Sequence, residues 1–183
     1  MPAWHVAAKG LAALALLAGL SSCTDNNPTQ SRPCPMVLTV PDASYLTRFN
    51  GDSEDLTDTD YEAKFDGIKS QCFYVENSDT KKTNIRSELT VQISATRGPK
   101  NAGDKADIKY FVALTGQGGR QIMRKDFTIT VPLTADKPTG TVADDPVVLI
   151  PVQQGENGDY YRIYVYFDVS EKELAYNRRN PQQ

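Results

Sequence analysis

Histidine is almost missing from this chain. Its 183 residues hold one, His5, next to the only tryptophan, Trp4. Both precede an apolar run, Leu11 to Leu20, that reads as part of an export signal, so the body beyond residue 22 has neither. A body without histidine has no Ser-His-Asp or Cys-His constellation and none of the usual histidine-based metal sites. Positive charge is not in excess either: 20 Lys and Arg stand against 23 Asp and Glu. Losing residues 1–22 removes Lys9 and no acid, which takes the net charge from −3 to −4. That is no electrostatic footprint for nucleic acid. No glycine-rich phosphate loop leads from a strand into a helix. Long apolar runs are absent too, since Leu11–Leu20 is too short to cross ~30 Å of hydrocarbon as a helix.

What Leu11–Leu20 does fit is the h-region of a secretory signal, with the amino terminus and Lys9 as a thin positive end. Small residues Gly19, Ser21 and Ser22 lead into Cys23. Leu20-Ser21-Ser22-Cys23 resembles the lipobox of bacterial lipoproteins. The resemblance implies cleavage before Cys23 and acylation of its thiol and new amino terminus. An ordinary signal with a chance cysteine is the alternative, and the order of apolar run, small residues and cysteine favours the lipobox. Each buried CH₂ contributes ~0.8 kcal/mol, so several acyl chains on Cys23 would make a stable membrane anchor. In that family an Asp directly after the cysteine favours inner-membrane retention. Here the position is Thr24, which points to the outer membrane. The expected organisation is a signal peptide over 1–22, lipidated Cys23 and a flexible tether over 23–33, and one domain over 34–183. The tether, TDNNPTQSRP, is polar and has a mean reach of roughly 17 Å. It keeps the domain near the membrane.

Two cysteines remain in the body, Cys34 and Cys72. In an oxidising compartment such a pair reads as a disulfide, which puts the first strand beside the one carrying Cys72. A metal site there would need further ligands, and only carboxylates are on offer.

Met36–Val40 between Pro35 and Pro41 predicts an edge strand. Ala43–Phe49 reads as either a helical turn or irregular chain, Asn50–Asp60 as an acidic loop, and Asn77–Lys82 as a turn. Tyr61, Ala63 and Phe65 alternate with polar residues, and Gln71–Glu76 forms a separate run. Leu89, Val91, Ile93 and Ala95 alternate with polar residues as a strand with one wet side. Ile108, Tyr110, Val112 and Leu114 face one way with Phe111 and Ala113 behind, which predicts a central strand. Gly116–Gly119 suits a hairpin turn into a strand through Phe127, Ile129 and Val131. Thr134–Pro146 reads as a polar loop, Val147–Val152 as an apolar run, and Ile163–Val169 as a last alternating strand. Ser170 and Glu173 then form a capping box for a helix ended by Pro181, with Arg178 and Arg179 at its negative end.

Seven or eight short strands with one closing helix predict an all-β domain, a single antiparallel β-sandwich of immunoglobulin-like or fibronectin-like form with a short C-terminal helix. A small barrel is the alternative. The body, from its Cys34-Pro35 start to its Tyr176-Asn177-Arg178-Arg179 helix, also resembles envelope lipoproteins of Gram-negative bacteria, a likeness that implies no activity.

Candidate sites are few. Tyr160, Tyr164 and Tyr166 fall on the face of the last strand opposite its core side, with Arg162 between them and Asp168 as its possible mate. Tyrosine and arginine suit protein contacts or sugar stacking, while the plainer reading is a second face covered by a loop or the helix. Asp52, Glu54, Asp55, Asp58 and Asp60 offer oxygens for Ca²⁺ but lack the EF-hand order, so a solvated loop is the commoner explanation. Arg97-Gly98-Pro99-Lys100 reads as a solvated basic turn rather than an anion site. No carboxylate pair is singled out by spacing, and no catalytic residue, metal ligand or cofactor is expected. The expected function is a non-enzymatic accessory or interaction protein, lipid-anchored in the cell envelope at the outer membrane and facing the periplasm, with an envelope protein as partner. The alternatives are a ligand-binding module, taking glycan on the tyrosine face or Ca²⁺ at the acidic loop, and a hydrolase acting through carboxylates alone.

Overall fold

The computed structural model describes Met1 and residues 32–181. The expected signal peptide beyond Met1, Cys23 and all but Arg32 and Pro33 of the expected tether lie outside the described residues. The described residues form nine strands and one α-helix: β1 Met36–Thr39, β2 Tyr45–Phe49, β3 Thr59–Glu76, β4 Thr83–Arg97, β5 Lys105–Thr115, β6 Gln121–Pro132, β7 Thr139–Asp144, β8 Val147–Pro151, β9 Arg162–Phe167 and α1 Glu171–Arg179. They form two sheets. The first has the order β1-β9-β5-β6; the second runs β2-β3-β4-β7, with β8 also paired to β4. The fold is a β-sandwich with a short C-terminal helix, as expected. Its pairs are antiparallel except β1 with β9, which is parallel and which alternation alone does not signal.

The inward faces are those the period-2 pattern picks out. Leu89, Val91, Ile93 and Ala95 of β4 are buried, as are Ile108, Tyr110, Val112 and Leu114 of β5 and Ile163, Val165 and Phe167 of β9. They join one core cluster. Phe65 of the second sheet stacks on Phe167 of the first, ring centroids 4.0 Å apart, and meets Tyr110 edge-on. Such pairs contribute about 0.5–1.5 kcal/mol beyond the area they bury.

Three stretches differ from expectation. Ala43–Phe49 contains strand β2, which follows a 3-10 turn at Pro41–Ala43. Gln71–Glu76 is no separate strand but the end of the 18-residue β3. The register of β3 against β4 shifts between Phe65 and Gly67. Tyr61 and Ala63 therefore face the core before this bulge, and Ile68, Cys72 and Tyr74 pack on it after the bulge. A bulge reverses the inward parity, so one long strand looks like two short ones. Thr134–Pro146, read as a loop, contains the edge strand β7. Only Val142 of that strand packs on the core, which leaves no alternation to detect. β7 and β8 are two halves of one edge laid along β4, broken at Asp145–Pro146, where the Pro146 carbonyl still accepts from the Leu89 amide at 3.0 Å.

Cys34 and Cys72 are bridged, with Cα atoms 5.7 Å apart. The expected neighbour relation is corrected: Cys34 leads into β1 of the first sheet and Cys72 lies in β3 of the second, so the bond staples the two sheets. Close by, the Tyr74 hydroxyl donates to the Pro33 carbonyl at 2.7 Å and accepts from the Gly158 amide at 2.8 Å. A Cβ on Gly158 would sit 2.1 Å from that carbonyl oxygen, so only glycine lets the incoming chain lie this close. The chain thus enters the body at the end that carries the Asn77–Lys82 turn.

Both halves of the capping box form on α1: the Ser170 hydroxyl accepts from the Glu173 amide, and the Glu173 carboxylate accepts from the Ser170 amide at 2.8 Å. The helix docks on β2. The Tyr45 hydroxyl donates to the Asn177 carbonyl at 2.5 Å, and the Asn177 side-chain amide donates to the carbonyls of Asp42 and Tyr45.

Candidate interaction surface

In β9 the pleat turns Ile163, Val165 and Phe167 inward, so Arg162, Tyr164 and Tyr166 face out. The adjoining strands supply what lies beside them. Tyr166 is directly opposite Phe111, and Tyr164 opposite Ala113, across the β9–β5 ladder. On the far side of β5, Ala113 is opposite Arg124 and Phe111 opposite Asp126. Leu38 of β1 flanks Tyr164 on the other side.

Phe111 points away from the core, yet only 7% of it is exposed, and Ala113 only 4%. The cover comes from side chains. The Arg124 guanidinium lies 3.4 Å from the Phe111 ring centroid and 5.9 Å from that of Tyr166. The Phe111 and Tyr166 rings are 5.4 Å apart, tilted by 48°. Asp126 stands 3.7 Å from Arg124 Nε. A guanidinium held over an aromatic face gains about 0.5–2 kcal/mol and is fixed in direction. α1, one of the two covers the plainer reading offered, packs chiefly on β2 and the turn before it. The arrangement offers aromatic packing area and one oriented cation.

One expected member of the face, Tyr160, belongs elsewhere, and the expected Arg162–Asp168 pair does not form. Tyr160 sits in the 3-10 turn Gly158–Tyr160 before β9 and packs against the core cluster. Arg162 does not pair with Asp168; its guanidinium donates to the carbonyls of Asp159 at 2.7 Å and Tyr161 at 2.9 Å. Tyr164 and Tyr166 are in place and half-buried. Sequence reading missed Arg124. Its signal was the β5–β6 hairpin register, which sets Arg124 beside Ala113 once the turn at 116–120 is placed.

Four acids of the 52–60 loop, Glu54, Asp55, Asp58 and Asp60, have partners. Asp55 accepts from the Thr57 amide and hydroxyl, both at 2.9 Å, and the amide above all lowers its pKa. Asp58 lies 4.0 Å from Lys100, Asp60 accepts from the Asn101 amide at 2.8 Å, and Glu54 pairs with Arg179. Among the described residues, no three Asp, Glu, His or Cys side chains lie together in a metal-holding group. In the 97–100 loop, Arg97 binds Asn101 Oδ1, Asp104 Oδ1 and the Leu133 carbonyl, so it is a loop staple.

Tyr110 donates to Asp144 at 2.6 Å, and burial followed by that carboxylate holds its pKa far above the usual range. Burial and Glu156, whose carboxylate accepts from Tyr161 at 2.5 Å, push Tyr161 up to about 12. Both hydroxyls are structural ties.

A depression of about 540 Å³ opens on the outer face of the second sheet, among Lys69, Gln71, Arg86, Glu88, Thr90 and Asp145. Five of its polar groups are engaged with one another: Glu88 holds Gln71 at 2.8 Å and Arg86 at 2.9 Å, and Asp145 holds Thr90 at 2.8 Å.

No protein-family profile matches the chain. No curated protein matches it either. Among solved structures it is matched to the variable (V) domain of the AgI/II polypeptide BspA of Streptococcus agalactiae, at 16% identity over 73% of this chain and 78% of that one, with a TM-score of 0.19. A superposition that poor carries no argument.

Proposed function

We propose that this protein is a lipid-anchored interaction protein of the bacterial cell envelope, held at the outer membrane by Cys23 and facing the periplasm, and that it acts without catalysis. The reading of the address rests on Leu20-Ser21-Ser22-Cys23 and the short apolar run before it. The observation that carries the interaction role is the Phe111–Tyr164–Tyr166 face with Arg124 laid over it. Tyrosine and arginine are enriched among residues that dominate binding energy. A pre-positioned cation and rigid rings lose little conformational freedom on binding. The lack of histidine beyond residue 22 supports a role without the common catalytic constellations.

Photo-crosslinking in cells tests the role. A photoreactive residue at position 164 or 166 should give a discrete adduct that one at Gln92, on the outer face of the second sheet, does not. Arg124→Ala should remove that adduct. Equal labelling from both faces, or none from 164 and 166, refutes the proposal. The runner-up is a ligand-binding module, with a glycan stacked on the same tyrosines. Saturable quenching of tyrosine emission by a soluble glycan, lost in Tyr166→Ser, would put it first.

A further inference from the structure

Large apolar side chains exposed on the body gather at one end. Among the described residues of the body these are Met36, Leu56, Phe73, Val75, Ile122 and Leu149, and all but Leu56 lie toward the end where β3 turns into β4. Three of them make one patch on the outer face of the second sheet. Phe73, Arg86 and Leu149 are consecutive cross-strand partners, and Val75 is two residues beyond Phe73 on the same face. Their exposures of 48% for Phe73, 46% for Val75 and 61% for Leu149 are high for side chains of this kind.

The chain enters the body at that same end, where Tyr74, Gly158 and the Cys34–Cys72 bridge fix it. Only Thr24 to Ser31 separate Cys23 from Arg32. Even fully extended, nine Cα steps reach ~30 Å, so lipid on Cys23 holds this end within that distance of a bilayer.

We propose that Phe73, Val75 and Leu149 seat the domain on the lipid surface to which Cys23 is attached. The inference rests on the lipid-anchor reading above. A patch this small has little affinity for lipid by itself, but a tether makes its contact intramolecular and raises the effective concentration. The contact is apolar. Nearby charges are of both signs and include the pairs Arg86 with Glu88 at 2.9 Å and Lys81 with Glu76 at 3.7 Å, so salt should affect it little. The two outer faces of a sandwich point in opposite directions. Seating the Phe73 side down therefore turns Tyr164 and Tyr166 away from the bilayer, toward a partner.

Tryptophan probes in the full-length, cell-processed protein test this, each in a Trp4→Phe background. Phe73→Trp and Leu149→Trp report on the patch, and Leu56→Trp on the other end. Each is reconstituted into phosphatidylethanolamine–phosphatidylglycerol vesicles with and without chain-brominated lipid. The Phe73→Trp and Leu149→Trp probes should emit to the blue and lose most of their emission to bromine, at high salt as at low. The Leu56→Trp probe should not change. If the protein floats with vesicles but neither patch probe is quenched, the seat is refuted and the anchor stands. A blue shift without quenching refutes lipid in favour of protein at this patch. If the protein does not float, or floats equally well as Cys23→Ser, the anchor reading falls and this inference with it.

Discussion

Removing the Cys34–Cys72 bridge should cost this domain a large part of its stability. The perturbation is the double variant Cys34→Ala/Cys72→Ala, which leaves no free thiol. The bridge closes a loop of 38 positions. In the chain-entropy account, −2.1 − 1.5R ln n then comes to about −13 cal/mol/K, or ~3.9 kcal/mol at 25 °C. Little packing is lost in the folded state, because Cys34 is exposed and Cys72 only half-buried. The loop holds β1, β2 and most of β3, so in the unfolded chain the bridge restricts the segments that supply strands to both sheets. Urea unfolding followed by far-UV circular dichroism measures the effect. At an unchanged slope, the midpoint should fall by roughly 2 M. The melting temperature should fall by roughly 8–15 °C for a domain of this length. A midpoint equal to that of the bridged protein refutes the reasoning. So would a shallower slope with an early phase, which would mean that the bridge only pins β1, a four-residue parallel edge, and that the rest of the sandwich is indifferent to it.

Alkaline pH provides a second check. Tyr110 and Tyr161 are both raised above the ordinary 10.0, so their contribution is complete below pH 10; that of Tyr161 is lost as pH climbs through about 12, and that of Tyr110, raised further, is lost later. Stability should be level near neutrality, where no histidine of the body titrates, and fall beyond pH 10; Tyr161→Phe should lessen that fall, and an unchanged pH profile would refute the assignment. Glu173 is 4% exposed, caps Ser170 and lies 3.0 Å from Arg48. Glu173→Ala should therefore destabilise by about 2–4 kcal/mol in thermal melts, Glu173→Gln should cost less, and a loss under about 0.5 kcal/mol for Glu173→Ala would show that the helix does not depend on this group.

Much of the architecture was legible because it depends on local rules. Period-2 burial placed β4, β5 and β9 with their inward residues. The flanking prolines marked β1 as an edge. Ser170 and Glu173 announced the start of the helix, and the pairing of two cysteines followed from their even count in a body read as exported. Each of these signals lies within a few residues of its consequence, or follows from compartment and count. Other features depended on what the chain meets in space. The bulge between Phe65 and Gly67 reversed the facing of β3 and hid its length. β7 carries no pattern because only Val142 reaches the core. The candidate face was half legible: alternation turned Tyr164 and Tyr166 outward, but Phe111 and Arg124 joined them only through the register of three strands. Tyr160 left that face because the turn before β9 drew it onto the core, and Arg162 stayed on it but turned to backbone carbonyls rather than to Asp168. Sequence alone thus determined which residues are apolar, where strands alternate and how the helix is capped, since those depend on side-chain chemistry and short-range geometry. Tertiary structure decided which sheet each strand joins, what the disulfide staples and which side chains share a surface, because pairing partners far apart in the chain are selected by the free energy of the whole packed core.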